Sequence, residues 1–507
     1  MSSRCCLLLL LLLVPATPGA VAEEPTRQSA STALRKAVAF QHDHVARHGG
    51  YVYAQSSDLK LREGEGVVGE DTIWVQPPGT PTIGEAYLDA YDATRDRYYL
   101  EAASDVGEAL LRGQLESGGW TYRIEFGPER EKYFYRTTAD GEPRDVQLPK
   151  KARNQPAGWE TWSRQRINAN ITTLDDETTQ AAARFLCRLD KAKDFKDERL
   201  HAATLYALKS LVNAQYPNGA WSANYNRFPH TPPSEKDYPI LKASFPESTP
   251  KAWPKDFTGC YVLNDDLIPD ILSTLLLAYD VYQDQQYLAS ARRAGDFLLL
   301  AQMPDPQPAW AQQYDKQMQP VWCRAFEPPA ITGGESQGVL ESLLLLYQRT
   351  GDKKYLEPIP RAIAYLRKSQ LPDGRLARFY ELKTNRPIYF TRVNGKHEPT
   401  YSDKDITSGY GYIVDSNLDQ IERRYQQVLQ QQPASTSSSN SKGRGQLSAK
   451  RLAEVERVIV SLDQRGAWVE RGRLKHHKVE PASGIISSRT FATNVRILSD
   501  YLRSKQE

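Results

Sequence analysis

Two acidic clusters in this chain stand directly in front of apolar helices, Asp175-Asp176-Glu177 in NITTLDDETTQAAARFL and Asp265-Asp266 in CYVLNDDLIPDILSTLLLAY. Read singly, each is an ordinary helix start: Thr173 and Asn264 can cap, the acids favour the first turn, and Pro269 sits early in its helix. Read together, on helices that enter one ring in the same direction, they converge into a hard, oxygen-rich set suited to calcium. A helix N-terminus carries partial positive charge, so several carboxylates are needed to hold a cation there.

A third stretch, WAQQYDKQMQPVWCRAFEPPAITGGES, surrounds Arg324 with Trp310, Tyr314, Trp322 and Phe326, and continues through two prolines and two glycines to Glu335. Packed loops of this kind usually carry function, although the same residues also describe a rigid connector with Arg324 in a structural ion pair. A fourth, RFYELKTNRPIYFTRVNG, offers Arg386 and Arg392 beside Tyr389 and Phe390. Arginines bind carboxylates in a bidentate fork, so these two suit an acidic sugar, or else they pair with Glu381, Asp403 or Asp405. His44 and His48 lie one turn apart without an acidic partner at ligand spacing. No nucleophile elbow, phosphate loop or nucleotide fingerprint is present.

The elements that must position these groups are helices. From Ser31 onward apolar residues recur at three- and four-residue spacing, and strand alternation is rare. Segments starting at Ala86, Leu275 and Leu343 share one pattern: an apolar helix, a polar turn with Asp, a Tyr-Leu pair opening a second helix, and a stop at Gln followed by Gly or Pro. Leu200 to Trp221 is a partial fourth copy. The spacing predicts an all-α fold, an (α/α) toroid of helical hairpins, with an open superhelix as the alternative. In QLESGGW and QYPNGAW the glycine ends a helix and the tryptophan folds back on it. Long insertions at 49–81, 124–168, 224–256 and 384–412 exceed plain connectors, and some of them are expected to cover one end of the ring. The expected organisation is one domain over 23–507, with a core at about 31–412, a Gln- and Ser-rich linker at 430–445 and C-terminal helices at 446–507.

Composition places this domain in an exported compartment. Residues 1–22 combine one arginine, the run CCLLLLLLLV and Ala-Val-Ala, the three parts of a secretion signal. The expected location is periplasmic or extracellular. No later segment is apolar enough to span a bilayer, and 65 basic against 62 acidic residues, a formal charge of +3, give no basic run for nucleic acid. A monomer without membrane or nucleic-acid partners is expected. After the signal, Cys187, Cys260 and Cys323 remain, to be read as three buried small hydrophobes or as one disulfide and a thiol.

LDDETT, YVLNDD, PVWCRAFEPPAITGGES, RFYELKTNRPIYF and TSGYGY, in this order and at this spacing, resemble the pectic acid lyases of polysaccharide lyase family ten. The resemblance covers roughly residues 31–412. It implies an (α/α) toroid, bound Ca²⁺ and β-elimination of polygalacturonate. It further implies that Asp175 and Asp265 bind the metal, that Arg324 is catalytic, and that Arg386 or Arg392, with Asp176 and Asn264, meet the acidic polysaccharide. The base role that the resemblance gives Arg324 is chemically awkward, since a guanidinium with pKa above ~12 resists deprotonation, so stabilisation of developing charge is the rival role. The insertion at 133–168, the tail after Tyr412 and Cys323 before the arginine depart from the family pattern. Two other readings stay open: a secreted toroid that binds acidic polysaccharide without cleaving it, and a terpenoid cyclase suggested by the Gln-Gly-Trp repeats and Asp pairs.

Overall fold

The apolar spacing does produce helical hairpins, and their junctions show how each is tied. The computed structural model describes residues 25–148, 170–253, 261–430 and 448–504. The expected signal, Cys260 and nearly all of the linker tract lie outside these residues. The described helices are α1 (Arg27–Phe40), α2 (Thr80–Thr94), α3 (Arg97–Arg112), α4 (Thr178–Ala192), α5 (Glu198–Asn213), α6 (Leu267–Tyr282), α7 (Gln285–Ala301), α8 (Gly333–Thr350), α9 (Ile359–Lys368), α10 (Leu418–Gln430), α11 (Ala449–Val460) and α12 (Ser488–Ser504).

Even-numbered helices form an inner layer, packing side by side in the order α10, α8, α6, α4, α2, α12. Odd-numbered helices back them: α3 on α2, α5 on α4, α7 on α6, α9 on α8, and both α1 and α11 on α12. Three inner helices end on a left-handed residue, Arg95, Gln283 or Gly351. The aspartate that follows then caps the next helical turn, Asp96 accepting from the Tyr98 N–H, Asp284 from Gln286 and Asp352 from Lys354. That capping is what the shared Asp turn in the sequence encodes.

Each of four outer helices is closed by one tryptophan. The indole N–H of Trp120 donates to the Leu110 carbonyl, that of Trp221 to Leu211 and that of Trp310 to Leu298, each at 2.8 Å, and Trp468 reaches Val458 at 2.9 Å. At Leu211 and Leu298 the indole serves a carbonyl that the helix end leaves open, whereas Leu110 also accepts from the Gly113 N–H at 3.0 Å and Val458 from the Ser461 hydroxyl at 3.1 Å. The preceding turn needs glycine at Gly219: its φ is +96°, and a Cβ there would lie 1.8 Å from the Arg293 carbonyl oxygen.

The all-α expectation holds for the hairpins but misses sixteen short strands among the described residues. Most have two or three residues, too few to show alternation in sequence. Ten of them repeat one function: the strand entering an inner helix pairs antiparallel with the strand that follows the matching outer helix. Thr72–Trp74 pairs with Arg123–Glu125, Thr172–Thr173 with Asn224–Tyr225, Tyr261–Val262 with Gln313–Tyr314, and Ala330–Thr332 with Phe379–Glu381. Ile485–Ser487, leading into α12, pairs with Ala54–Ser56, which follows α1. The two ends of the chain therefore build one hairpin together, and the buried core continues past residue 412 through Val455, Phe491, Val495 and Leu498. Each of these junctions lies where an inner helix begins. Cys187 and Cys323 are free and buried.

Removing the indole bond or the glycine should weaken a hairpin locally. Trp221→Phe leaves the Leu211 carbonyl without its donor, for an expected loss of about 1–3 kcal/mol. Gly219→Ala adds a left-handed alanine at roughly 1–3 kcal/mol, with the carbonyl clash on top. Denaturant unfolding checks both, and a Gly219→Ala midpoint equal to that of the parent would contradict this account.

Candidate active site

The two acidic clusters adopt the same backbone turn, and it is not the one that helix-start grammar predicts. After its entering strand, Asp175–Glu177 forms a single 3-10 turn in which Asp176 and Glu177 have φ of 49° and 61°. Asn264–Asp266 repeats it with Asp265 and Asp266 at 49° and 56°. The α-helices start only at Thr178 and Leu267, and neither Thr173 nor Asn264 provides a side-chain cap. Two successive left-handed residues that are not glycine cost about 1–3 kcal/mol each, so the surrounding packing must impose them. Asp175 and Asn264 are thus equivalent positions of one repeated turn, as are Asp176 and Asp265.

The turns bring Asp175, Asp176 and Asp265 together, with one oxygen from each within 4.8 Å of the others. Asp175 is 8% exposed. Burial first, then the neighbouring Asp176 charge, raises its carboxyl to about 7, and burial with the Asp175 charge raises Asp265 to about 8. Burial and Glu65 raise Asp176 as well. The Tyr122 hydroxyl donates to Asp175 at 3.3 Å, and the Asn264 amide donates to Asp265 at 2.5 Å. The Asn264 Oδ1 is buried without a hydrogen-bond donor. A converged, all-oxygen set of mutually repelling carboxylates, with a spare amide oxygen beside it, fits a hard cation such as calcium.

Arg324 stands over this cluster, its Nη2 3.5 Å from Asp265 Oδ2. A fully buried partner, Glu327, holds it: Arg324 Nε donates to Glu327 Oε2 at 2.7 Å, Nη2 donates to Oε1, and the Arg324 backbone N–H adds a bond at 3.2 Å. The Tyr410 hydroxyl donates to the same Glu327 at 2.9 Å. Burial pulls the guanidinium down, but the Glu327 bonds and charge, with Asp265, leave its pKa raised overall. A second arginine, Arg378, pairs with the buried Glu335 at 2.9 Å and lies 5.1 Å from the centre of the Tyr410 ring. Glu335 also accepts from the Gln312 amide at 2.9 Å.

Of the residues expected from sequence, the fold gathers Asp175, Asp176, Asp265, Asn264 and Arg324 at one place. It does not bring Arg386 there: that side chain is exposed and stacks on Tyr401 at 3.5 Å. Arg392 pairs in register with His397, whose ring contacts Phe326 at 4.9 Å, so it belongs to a hairpin at the rim. Arg378 comes inside because it immediately precedes the strand that pairs with Ala330–Thr332, its carbonyl accepting from the Gly333 N–H at 3.0 Å. Glu327, three residues after Arg324, had a sequence signal in its charge and spacing, whereas Tyr122 had none, since only strand pairing carries it to Asp175.

No family model matches the chain, and no curated protein does. Among solved structures it is similar to a family 10 polysaccharide lyase from Cellvibrio cellulosa, at 19% identity and a TM-score of 0.41, over 69% of this chain and 97% of that one. A cellobiose 2-epimerase from Bacillus thermoamylovorans aligns at 13% identity and a TM-score of 0.43, over 94% and 99% of the two chains. A GH76 α-mannanase from Bacteroides thetaiotaomicron aligns at 11% and 0.39, over 95% and 96%. All three are carbohydrate-processing enzymes, and likenesses of this degree carry no assignment of activity.

The carboxylate repulsion has a measurable sign. A carboxyl whose pKa in the folded chain lies above its unfolded value costs stability as pH rises from about 4 towards that folded value. In chelator, Asp265→Asn should therefore raise Tm, by roughly 1–3 °C, with the gain growing between pH 5 and pH 9. Thermal unfolding across that range checks it, and a lowered or pH-independent Tm would count against repulsion at the cluster.

Proposed function

We propose that this chain is a carbohydrate-active enzyme, a calcium-dependent lyase that cleaves polygalacturonate or a related uronate polymer by β-elimination. The supporting observation is the convergence of Asp175, Asp176 and Asp265 with a strongly held guanidinium 3.5 Å from one of them. Those three aspartates would hold the ion, whose charge, when bound, offsets that of a substrate carboxylate and of the enolate formed from it.

The chemistry that remains belongs to the chain. In β-elimination the C5 proton passes to a water molecule acting as base, the C5–H electrons form the C4=C5 double bond, the C4–O bond to the departing sugar breaks, and that oxygen takes a proton back from solvent. Arg324, kept protonated by Glu327, supplies fixed positive charge where negative charge develops on the carboxylate side of C5. A raised guanidinium pKa disfavours the neutral form that a base would require, so this geometry suits charge stabilisation. Glu327 and Tyr410 orient Arg324, because both of their polar atoms are committed to that network. Arg378, in place of Arg386, offers the second arginine for a uronate carboxylate. The polar, tyrosine-lined mouth suits a sugar chain and leaves the isoprenoid reading without support.

Incubation with polygalacturonate should release unsaturated ends absorbing in the ultraviolet, and chelator should abolish the signal. A protein that binds the polymer yet produces no such ends would be a binding toroid instead. Asp175→Ala should stay folded and lose calcium affinity by at least about tenfold in calorimetry; unchanged affinity would remove Asp175 from the metal site. Arg324→Lys keeps the charge and loses the planar fork that grips Glu327, so kcat should fall by about 10² or more with KM little changed. Near-parental turnover in Arg324→Lys would leave the arginine a structural role alone.

A further inference from the structure

The last inner helix, α12, starts against the loop that carries Tyr53. Ser488, the first residue of α12, donates its backbone N–H to the Tyr53 carbonyl at 3.0 Å and its hydroxyl to the Val52 carbonyl at 2.6 Å, while Ser487 pairs with Ala54. Arg489 follows and is exposed. Among the described residues no carboxylate forms an ion pair with it. It is the second residue of α12, as Gly334 is of α8, and both helices are entered directly from a strand.

A continuous run of contacts joins this point to the acidic cluster. The half-buried Tyr53 ring meets Trp74 edge-on, with centroids 5.8 Å apart. The Trp74 indole donates to Gln76 at 3.1 Å, and the Gln76 amide donates to Glu65 at 3.2 Å. The Val75 N–H donates to the Tyr122 carbonyl at 2.7 Å, and the Tyr122 hydroxyl reaches Asp175. Tyr53 feels the charges of Glu65, Asp176 and Arg489 together. Asp176 itself feels the Glu65 carboxylate and the Arg324 guanidinium.

We infer that Tyr53 and Arg489 form a distal subsite for a further acidic sugar unit of the polymer, with the Tyr53 ring as its platform and the Arg489 guanidinium as the partner of its carboxylate. Arg324 and Arg378 lie on one side of the aspartates and Arg489 on the other, so a long uronate chain spans the cluster with cations at both ends. The inference rests on the lyase reading for its substrate class. Its own content is that binding depends on substrate length, through a helix contributed by the C-terminal end of the chain.

The test measures KM and kcat on galacturonate oligomers from dimer to hexamer, for the parent protein, Arg489→Gln and Arg489→Lys. Arg489→Gln should raise KM for the longest oligomers by about tenfold, the loss of one charge-assisted pair, while leaving the KM for the shortest, kcat and Tm unchanged. Arg489→Lys should recover part of the loss. If the parent cleaves these oligomers and Arg489→Gln has no effect, or the same effect at every length, the subsite is overturned and the lyase reading stands. If the parent neither cleaves nor, by calorimetry, binds any uronate, the lyase reading falls and the subsite falls with it.

Discussion

The constraint on which the mouth of this molecule depends is the mutual repulsion of Asp175, Asp176 and Asp265, brought with oxygens within 4.8 Å of one another in a largely buried setting. Left to itself such a cluster would spread apart or take up protons, and the raised carboxyls at Asp175 and Asp265 show the second tendency. What prevents spreading is backbone. Two turns with paired left-handed residues leave the acids no helical first turn to retreat into, and the strands before those turns are fastened on both sides. Strain and repulsion held at one place are what a cation or a charged transition state can relieve, and a purely architectural junction would gain nothing from either.

The scaffold that bears this load repeats a single device. An inner helix begins at a strand, an aspartate caps the outer helix, a tryptophan closes that helix, and the returning strand pairs with the one that started the unit. Because five units are each closed by their own strand pair, the start of each of those inner helices is fixed relative to the end of its outer partner. The pairing of Ile485–Ser487 with Ala54–Ser56 extends the rule across the whole chain, making α12 and α1 one unit from opposite ends of the sequence. Loss of the C-terminal helices would therefore expose the face of α2 and free the loop that carries Tyr53 and Glu65.

Much of this was legible in the sequence because helix periodicity, Asp turns and the Gln-Gly-Trp endings are local signals. The acidic residue types were legible too. Their conformation was not: nothing marks Asp176 or Asp265 as left-handed, since aspartate visits that region only somewhat more readily than other residues, and the cap expected of Thr173 and Asn264 is the commoner outcome for such sequences. The placement of the arginines was hidden for a different reason. Arg378, Arg386 and Arg392 share one segment, and only the register of Phe379–Glu381 on Ala330–Thr332 decides that Arg378 comes beside Glu335 while Arg386 turns out to Tyr401. Register is a property of the pair of strands and cannot be read from either one alone.

Glu327 changes how Arg324 is understood. An exposed arginine near a carboxylate cluster would be mobile, and its contact with Asp265 would be one of several available to it. Here two of its side-chain nitrogens and its backbone N–H are committed to a fully buried carboxylate, which Tyr410 holds in turn. The commitment costs Arg324 reach, since the fork cannot leave Glu327 to follow a substrate. It also cancels much of the long-range charge, so any influence on a reacting atom must act at contact distance and in one direction. A group fixed in that way is suited to stabilising charge that appears at a set point during reaction and poorly suited to gathering substrate from solution. On the lyase reading, gathering substrate from solution would be left to less committed cations, such as the exposed Arg392 and Arg489.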